Sequence, residues 1–229
     1  MSDHLKRYIT PRTWDIKIKG VKYVSKPSRG THGIEMSMPI NVIIRDLLNY
    51  ASTTREVKYM LNNRNVLVDG IRRKDYRFPV GLFDVLSFAD VDEHFRMVLN
   101  EKGKLALIKV KKEEAAAKPC KITGKKAVKG KIQLNFYDGK NMLAEKNSYS
   151  VGDVLVLSLG EKSEVKGHIK LEKGALIFLT GGKNIGTLGT VQDMSGSRII
   201  YKASSGDVFE TLKEYAFPIG KEKPAIRLE

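Results

Sequence analysis

Short apolar segments separated by glycine-containing turns make up most of the chain between residues 131 and 191. They recur at intervals of roughly ten residues, a spacing that predicts short strands in a small barrel or sandwich. A long amphipathic helical pattern is absent from residues 130–205, so the core of this part must form between strands. The predicted strands cover residues 131–137, 154–157, 169–172 and 175–179.

The preceding part of the chain has a different pattern. Apolar residues recur at three- and four-residue spacing over residues 40–51, and Thr53 and Glu56 form a capping box that predicts a second helix. Asp69-Gly70 between apolar segments predicts a β-hairpin, and residues 84–88 predict a further strand. Together with the length of 229 residues, these patterns predict an α+β protein with more than one domain.

The charge of the chain is strongly positive and unevenly distributed. It carries 41 Lys and Arg against 26 Asp and Glu, a formal net charge of +15, which predicts a polyanionic partner such as nucleic acid. The surplus is +5 in residues 1–40 and +9 in residues 102–131, whereas residues 41–101 are neutral. We therefore expect two basic arms, poorly suited to forming cores, that contact phosphate; a solvated surface is the alternative for each.

The composition also excludes several classes of protein. A hydrophobic fraction of 41% is enough for a buried core, and no apolar run reaches the length of a membrane helix. The first residues lack an apolar signal region, which argues against export, and a single cysteine, Cys120, fits a reducing compartment. The four histidines are scattered and one cysteine cannot complete a zinc finger, so we expect no metal, no cofactor and no enzymatic activity.

Three groups of residues are candidates for RNA contact. In the N-terminal arm, aromatics suited to stacking on bases are interleaved with cations, although Trp14 has the alternative role of anchoring the arm. The second helix and the hairpin also concentrate cations, for which surface salt bridges are the alternative. The candidates are Lys6, Arg7, Arg12, Trp14, Lys26 and Arg29 in the arm, Arg55, Lys58, Arg64, Arg72, Arg73 and Lys74 in the helix and hairpin, and Lys125, Lys126 and Lys129 in the second basic stretch.

A glycine-rich segment at residues 174–191 contains Lys183 and Asn184 among Gly181, Gly182, Gly186 and Gly189. Its spacing is not that of a nucleotide-binding P-loop, and no helical pattern follows it. It resembles a KOW motif, a strand–loop–strand unit of SH3-like barrels in which glycines permit a tight loop and close approach to RNA. The alternative is a hairpin whose glycines only make the turn.

Taken in order, these segments resemble the small-subunit ribosomal protein S-four-e family of archaea and eukaryotes. The resemblance rests on His4-Leu-Lys-Arg7, Lys26-Pro-Ser-Arg-Gly30, Val68-Asp-Gly70 with Pro79-x-Gly81, and Thr180-Gly-Gly-Lys-Asn-x-Gly186. It implies a basic N-terminal extension (1–40), an S4-type RNA-binding domain with a helix pair (41–105), a lysine-rich connector and central β domain (106–170) and a KOW or SH3-like β domain (171–229). The absence of a longer tail after Glu229 favours an archaeal member.

The resemblance also implies a function. Members of this family are structural constituents of the small ribosomal subunit that bind ribosomal RNA and support its assembly without catalysis. For this chain it implies small-subunit rRNA and neighbouring ribosomal proteins as partners, a cytoplasmic ribosomal location and a monomer outside the ribosome. A translation or transcription factor that binds RNA transiently through the same modules is the alternative.

Overall fold

The computed structural model describes residues 4–128, 130–144, 148–160, 164–221 and 224–227. Strands dominate this part of the chain and the helices are few and short. The strands form three five-stranded antiparallel sheets and two small strand pairs. The mixed, strand-rich class expected from the sequence is therefore confirmed.

Residues 4–40 pack against the rest of the protein. β1 (Leu5–Lys6) pairs with β2 (Tyr23–Val24), and β3 (Ser37–Pro39) pairs with residues 79–81. Trp14 is 3% exposed, its indole N–H donates to the carbonyl oxygen of Ile34 over 3.2 Å, and its backbone forms a bridge with Leu105. The expectation of an arm without core residues is wrong here, because large apolar side chains between the cations anchor the segment.

Two helical segments follow. α1 (Ile40–Val42) continues as a π-helical turn over Ile43–Leu47, and α2 extends over Thr54–Asn63. The cap of α2 forms as predicted: Thr53 Oγ1 accepts a hydrogen bond from the backbone N–H of Glu56, whose carboxylate in turn accepts from the N–H of Ser52 over 2.8 Å. These bonds satisfy backbone donors that the first helical turn leaves without partners.

The predicted hairpin belongs to the first large sheet, which has the order β5-β4-β7-β8-β9. At its turn Asp69 and Gly70 have φ angles of 52° and 79°, the left-handed conformation that a two-residue hairpin loop requires. β6 lies outside this sheet and is the partner of β3. These strands are β4 (Val66–Val68), β5 (Ile71–Arg72), β6 (Pro79–Gly81), β7 (Val85–Phe88), β8 (Glu93–Leu99) and β9 (Leu105–Val110).

The lysine-rich stretch of residues 102–131 departs most from the sequence-based expectation. It is not a basic arm, because it contains β9, the short α3 (Lys112–Ala115) and the twelve-residue β10 (Ala117–Val128). Cys120 and Ile122 are fully buried and give β10 its core contacts, so a run rich in lysine still forms the middle strand of a sheet.

β10 lies in a sheet of order β12-β11-β10-β13-β14. Its other strands are β11 (Lys131–Phe136), β12 (Asn141–Ala144), β13 (Val154–Ser158) and β14 (Val165–Ile169). The strand predicted over residues 169–172 is wrong in position. β14 ends at Ile169, and beyond it the N–H of Leu171 donates to the carboxylate of Asp153 over 3.1 Å instead of to a neighbouring strand.

The third sheet has the order β18-β17-β16-β15-β19. The ring of Phe83, which follows β6, lies 5.7 Å from that of Phe178 and 4.7 Å from that of Phe217, measured between ring centres. This aromatic cluster joins the first part of the chain to the third sheet, while the boundaries of the four predicted domains stay a prediction. The strands are β15 (Leu176–Leu179), β16 (Leu188–Ser195), β17 (Arg198–Ala203), β18 (Val208–Leu212) and β19 (Ala216–Gly220).

Candidate nucleic-acid interface

Six cations on α2, the β4–β5 hairpin and the turns beside them form a surface that we call the basic face. Five of its members are exposed and Arg73 is half-buried. Within the part of the chain that the structure describes, none of the six forms an ion pair with a carboxylate, so the alternative of surface salt bridges is not realised. The members are Arg55, Lys58, Arg64, Arg72, Arg73 and Lys74.

Contacts with neutral groups hold the basic face in position. Arg72 Nη2 donates to the backbone oxygen of Asn62 over 3.0 Å, which connects the hairpin to the last turn of α2. Lys58 Nζ lies 4.4 Å from the centre of the Tyr76 ring, a cation–π contact that leaves the charge uncompensated. The surface therefore combines defined side-chain positions with an unneutralised positive field.

The N-terminal candidates divide into buried and exposed residues. Arg7 is 8% exposed and donates from Nη1 to the carbonyl oxygen of Lys17 over 2.8 Å and from Nη2 to Asp46 over 3.5 Å. The prediction of RNA contact is corrected for Arg7 and Trp14, because neither side chain is accessible and both hold the segment to the protein. Of the others, Arg12 and Arg29 are exposed, and Lys6 and Lys26 are half-buried.

The glycine-rich loop between β15 and β16 is held largely by contacts within the chain. Asn184 Nδ2 donates to the hydroxyl of Tyr201 over 2.8 Å, so this amide stabilises the loop. A Cβ atom at Gly186, where φ is 82°, would overlap the carbonyl oxygen of Asn100. The close backbone approach at Gly186 is therefore to the protein itself.

Two other glycines of this segment, Gly181 in the loop and Gly189 at the start of β16, have the same explanation. A Cβ at Gly181 would overlap the ring of Tyr215, and one at Gly189 would overlap the ring of Tyr201. Gly182, with φ 86°, and Lys183 are exposed, so a cation remains available at the tip of the loop.

The second basic stretch contributes fewer surface cations than predicted. Lys125 is half-buried and Lys126 is exposed on β10, while Lys129 lies outside the described residues. Two other lysines of β10, Lys118 and Lys121, are buried. Charge along the sequence does not distinguish buried from exposed lysines, so the different role of these two was not predicted.

Lys118 is the centre of a buried charge cluster formed with Asp69, Asp84, Asp138 and His32. Its Nζ donates to Asp69 over 2.8 Å, to Asp138 over 3.0 Å and to Asp84. His32 Nε2 lies 3.0 Å from Asp84 Oδ1. The cluster connects the N-terminal segment, the first sheet and the sheet of β10 at one point. The sequence gives no signal for it beyond the Asp-Gly turns at residues 69–70 and 138–139.

The pKa values in the cluster reflect competition between burial and charge. Burial by itself raises the pKa of Asp84, but the ammonium of Lys118 and the imidazole of His32 together lower it well below its usual range. The three carboxylates likewise outweigh burial and raise the pKa of Lys118. All the described contacts of Lys118 therefore favour its charged form at neutral pH.

For Lys121, burial outweighs the neighbouring charges and lowers the pKa. Its Nζ donates to three backbone oxygens, those of Lys213, Glu214 and Ala216, over 3.1, 2.7 and 2.7 Å. Burial lowers the pKa of Lys121 to about 8, because the neighbouring Glu214 compensates only part of the desolvation. This lysine joins β10 to the chain around the start of β19, and its ammonium is not available to an external anion.

The remaining chemistry-bearing residues form no centre in the part of the chain that the structure describes. Groups of three or more His, Cys, Asp or Glu side chains arranged to hold a metal ion are absent from these residues. Cys120 is fully buried, and burial raises the pKa of its thiol. None of the helices in the described ranges has both the length and the apolar character needed to cross a membrane.

Comparisons with known proteins show which family the chain resembles. Residues 91–163 match the model of the ribosomal family S4e, and residues 1–35 match the RS4NT (NUC023) domain. The small ribosomal subunit protein eS4 of Methanococcus aeolicus is 39% identical, with 98% of this chain and 97% of the relative covered. The protein of the same name from Methanosphaera stadtmanae is 40% identical, with 98% and 95% covered.

A solved structure extends the comparison to the fold. The crystal structure of the 30S ribosomal protein S4e from Thermoplasma acidophilum matches with a TM-score of 0.71 and 31% sequence identity. The match covers 85% of this chain and 99% of that one. With sequence identity near 40% over almost the full length of the archaeal relatives, this chain belongs to the ribosomal protein S4e family.

Proposed function

We propose that this protein is a non-catalytic structural component of the small ribosomal subunit that binds ribosomal RNA and supports its folding and assembly. The observation that carries the proposal is the basic face, whose cations have no carboxylate partner among the described residues. Relatives that cover the chain almost completely are named small ribosomal subunit proteins, which supports the same assignment. The proposed setting is the cytoplasmic ribosome, with a monomer outside it.

In the proposed mode of binding, the cations of the basic face bind phosphates and release condensed counterions. Residues 41–105 act as an S4-type domain and residues 171–229 as a KOW-like domain, on either side of a central β domain at residues 106–170. The extension at residues 1–40 adds accessible cations. Secondary contacts come from Lys6, Arg12, Lys26, Arg29, Lys125, Lys126 and Lys183, whose side chains are exposed or half-buried.

The test compares two double variants of equal charge. Arg55→Ala with Lys74→Ala removes two exposed cations of the basic face, whereas Lys166→Ala with Lys202→Ala removes two exposed cations of the β14 and β17 strands. Binding to naked small-subunit rRNA is measured by filter binding at several salt concentrations. We expect the first variant to bind more weakly. The slope of log K against log salt should become shallower by about two, because each phosphate contact contributes about one.

The control variant is expected to keep the wild-type slope. Equal slopes for both variants would contradict the assignment of the basic face as the RNA-binding surface. The functional setting is tested separately by sedimentation of small subunits through sucrose at high salt. Retention on the subunits supports a structural component, and loss at moderate salt supports a factor that binds transiently.

A further inference from the structure

α2 has two chemically different sides. Arg55 and Lys58 belong to the basic face, whereas Glu56, Tyr59 and Met60, spaced three and four residues apart, line a pocket on another side of the helix. The pocket has a volume of about 510 Å³ and lies between α2, the start of β4 and the turn that joins β7 to β8. We call it the acidic pocket because three of the four charged residues that line it are carboxylates.

The wall of the acidic pocket exposes large apolar side chains. Tyr59 is 67% exposed, Val91 58% and Tyr50 43%. The ring of Tyr50 packs edge-on against that of the buried Phe88, with 5.4 Å between the ring centres. Apolar side chains grouped around a cavity of this size are typical of a binding site, because their exposure to water is unfavourable and their packing in the monomer does not require it.

The charge of the pocket is opposite to that of the protein. Glu56, Asp90 and Glu93 line it together with a single cation, Arg64, the member of the basic face that lies at the boundary between the two surfaces, in a chain of net charge +15. Among the described residues Asp90 accepts a hydrogen bond from the backbone N–H of Asn65, over 3.3 Å, and forms no ion pair. RNA phosphates are repelled from this position, and a cation is attracted to it.

Glu93 is fixed through both of its carboxylate oxygens. One of its oxygens accepts from the hydroxyl of Tyr50 over 2.5 Å and the other from Lys109 Nζ over 2.5 Å. The bond to Glu93 raises the pKa of Tyr50 to about 12, so the tyrosine stays neutral and holds its ring against the pocket. Glu93 thus positions the aromatic wall. Glu56 is exposed but held by the N–H of Ser52 and the hydroxyl of Thr53, and it adds negative charge at the rim beside Asp90.

We propose that the acidic pocket binds a lysine- and arginine-rich segment of another protein, which inserts one aromatic or large aliphatic side chain between Tyr59 and Val91. The volume suits a single large side chain and part of its backbone, and one buried anchor commonly provides most of the energy of such a contact. Cations next to the anchor pair with Asp90 and Glu56. The proposal goes beyond RNA binding, because it gives the two sides of α2 different partners.

The test uses the full chain and a defined probe. The probe is a fluorescein-labelled decapeptide of lysines and arginines with one central phenylalanine, and its matched control has serine in that place. We expect the phenylalanine peptide to bind at about 150 mM salt and Tyr59→Ser with Val91→Ser to weaken it about tenfold or more, as for other buried anchors. Asp90→Asn, which keeps the acceptor for Asn65, should weaken it a few fold, and less at high salt.

The chain offers a matched control for the apolar change. Tyr8 is 66% exposed and lies outside the pocket, so Tyr8→Ser removes an equally exposed tyrosine and should leave peptide binding unchanged. Equal binding of the phenylalanine and serine peptides, or equal loss with Tyr8→Ser, would overturn the proposal.

A second measurement identifies the natural occupant. A photoreactive phenylalanine analogue at position 59 is cross-linked in purified small subunits, and the linked residue is identified by mass spectrometry. A link to a basic segment of another protein supports the proposal, and a link to RNA or to a second copy of this chain overturns it. Failure of the variant to enter subunits that accept the wild-type protein would also count against a peripheral site at Tyr59. The peptide measurement does not depend on ribosome binding, so it separates this proposal from the proposed function.

Discussion

The basic face and the buried charge cluster use the same kinds of side chain in different surroundings. Lys58 is exposed and lies over the ring of Tyr76, without a carboxylate partner among the described residues. Lys118 is 0% exposed and contacts three carboxylates. The first arrangement leaves a positive charge for an external anion, and the second uses the charge to join three parts of the chain.

The energetic consequences of losing a cation differ accordingly. An exposed lysine is solvated whether or not its neighbours are present, so its removal changes the stability of the fold little. A lysine buried among carboxylates compensates their desolvation, and its removal leaves negative charges in a medium that solvates them poorly. The comparison shows that the position of a lysine in the fold, rather than the density of lysines along the sequence, decides whether its charge is available to an external anion.

The largest effect is expected for Lys118→Met. The substitution removes the cation that all three carboxylates share, although Lys140 stays beside Asp69 and Asp138 and His32 beside Asp84. It should lower the free energy of unfolding by about 3–5 kcal/mol, the usual cost of breaking a buried ion pair. Urea unfolding at pH 7 measures it. Lys126→Met, which removes an exposed lysine from the same strand, should change the free energy by less than about 0.5 kcal/mol. Similar effects of the two substitutions would mean that buried and exposed lysines contribute equally to the stability of the fold.

Mild acid is expected to recover part of the stability of Lys118→Met. In the wild-type protein the pKa of Asp84 lies below its unfolded value, so its contribution is complete above that value and is lost as pH falls further. Without Lys118, Asp84 keeps only His32 and Asp138 keeps only Lys140 among the described cations beside them, so burial raises the pKa of these two carboxyl groups above the wild-type values and the variant gains stability as they bind protons. We expect the gap between variant and wild type to narrow by about 1–2 kcal/mol between pH 7 and pH 5. A constant gap over this range would contradict the role given to burial.

The smallest effect on stability is expected for the basic face. Arg55→Ala with Lys74→Ala should change the free energy of unfolding by less than about 0.5 kcal/mol, because both side chains are exposed. The same variant should nevertheless lose affinity for small-subunit rRNA, as described above. Thermal unfolding followed by circular dichroism provides the measurement. A stability loss as large as that of Lys118→Met would mean that the basic face is part of the structural framework.

Local patterns predicted the elements that depend on neighbouring residues. The cap at Thr53 and the turn at Asp69-Gly70 form as expected, since their hydrogen bonds and backbone angles involve residues only a few positions apart. The basic face was predicted for the same reason, because α2 and the hairpin that follows it are adjacent in sequence. Its function in RNA binding stays a prediction.

The buried charge cluster had no comparable signal. The carboxylate partners of Lys118 are 49, 34 and 20 residues away along the chain, in segments whose contact is decided by the packing of two sheets. The glycine-rich loop was only partly predictable: the turn follows from its composition, but the approach of Gly186 to Asn100 depends on how two distant loops meet. Arg7 was predicted to contact RNA because its partner Asp46 is likewise distant in sequence. For Trp14 the sequence left anchoring open beside base stacking, and the structure shows the anchored side chain.

The amino-acid sequence by itself determined the strand-rich α+β class, the family and the presence of a large positive surplus, because periodicity, turn residues and composition are local properties. Only the tertiary structure decided which cations face solvent and which are buried in the core. Lysines at 118 and 126 have the same chemistry and lie in one strand, but one meets three carboxylates from distant segments and the other meets water. Burial and pairing depend on contacts between segments far apart in the chain, and those contacts decide what each charge does.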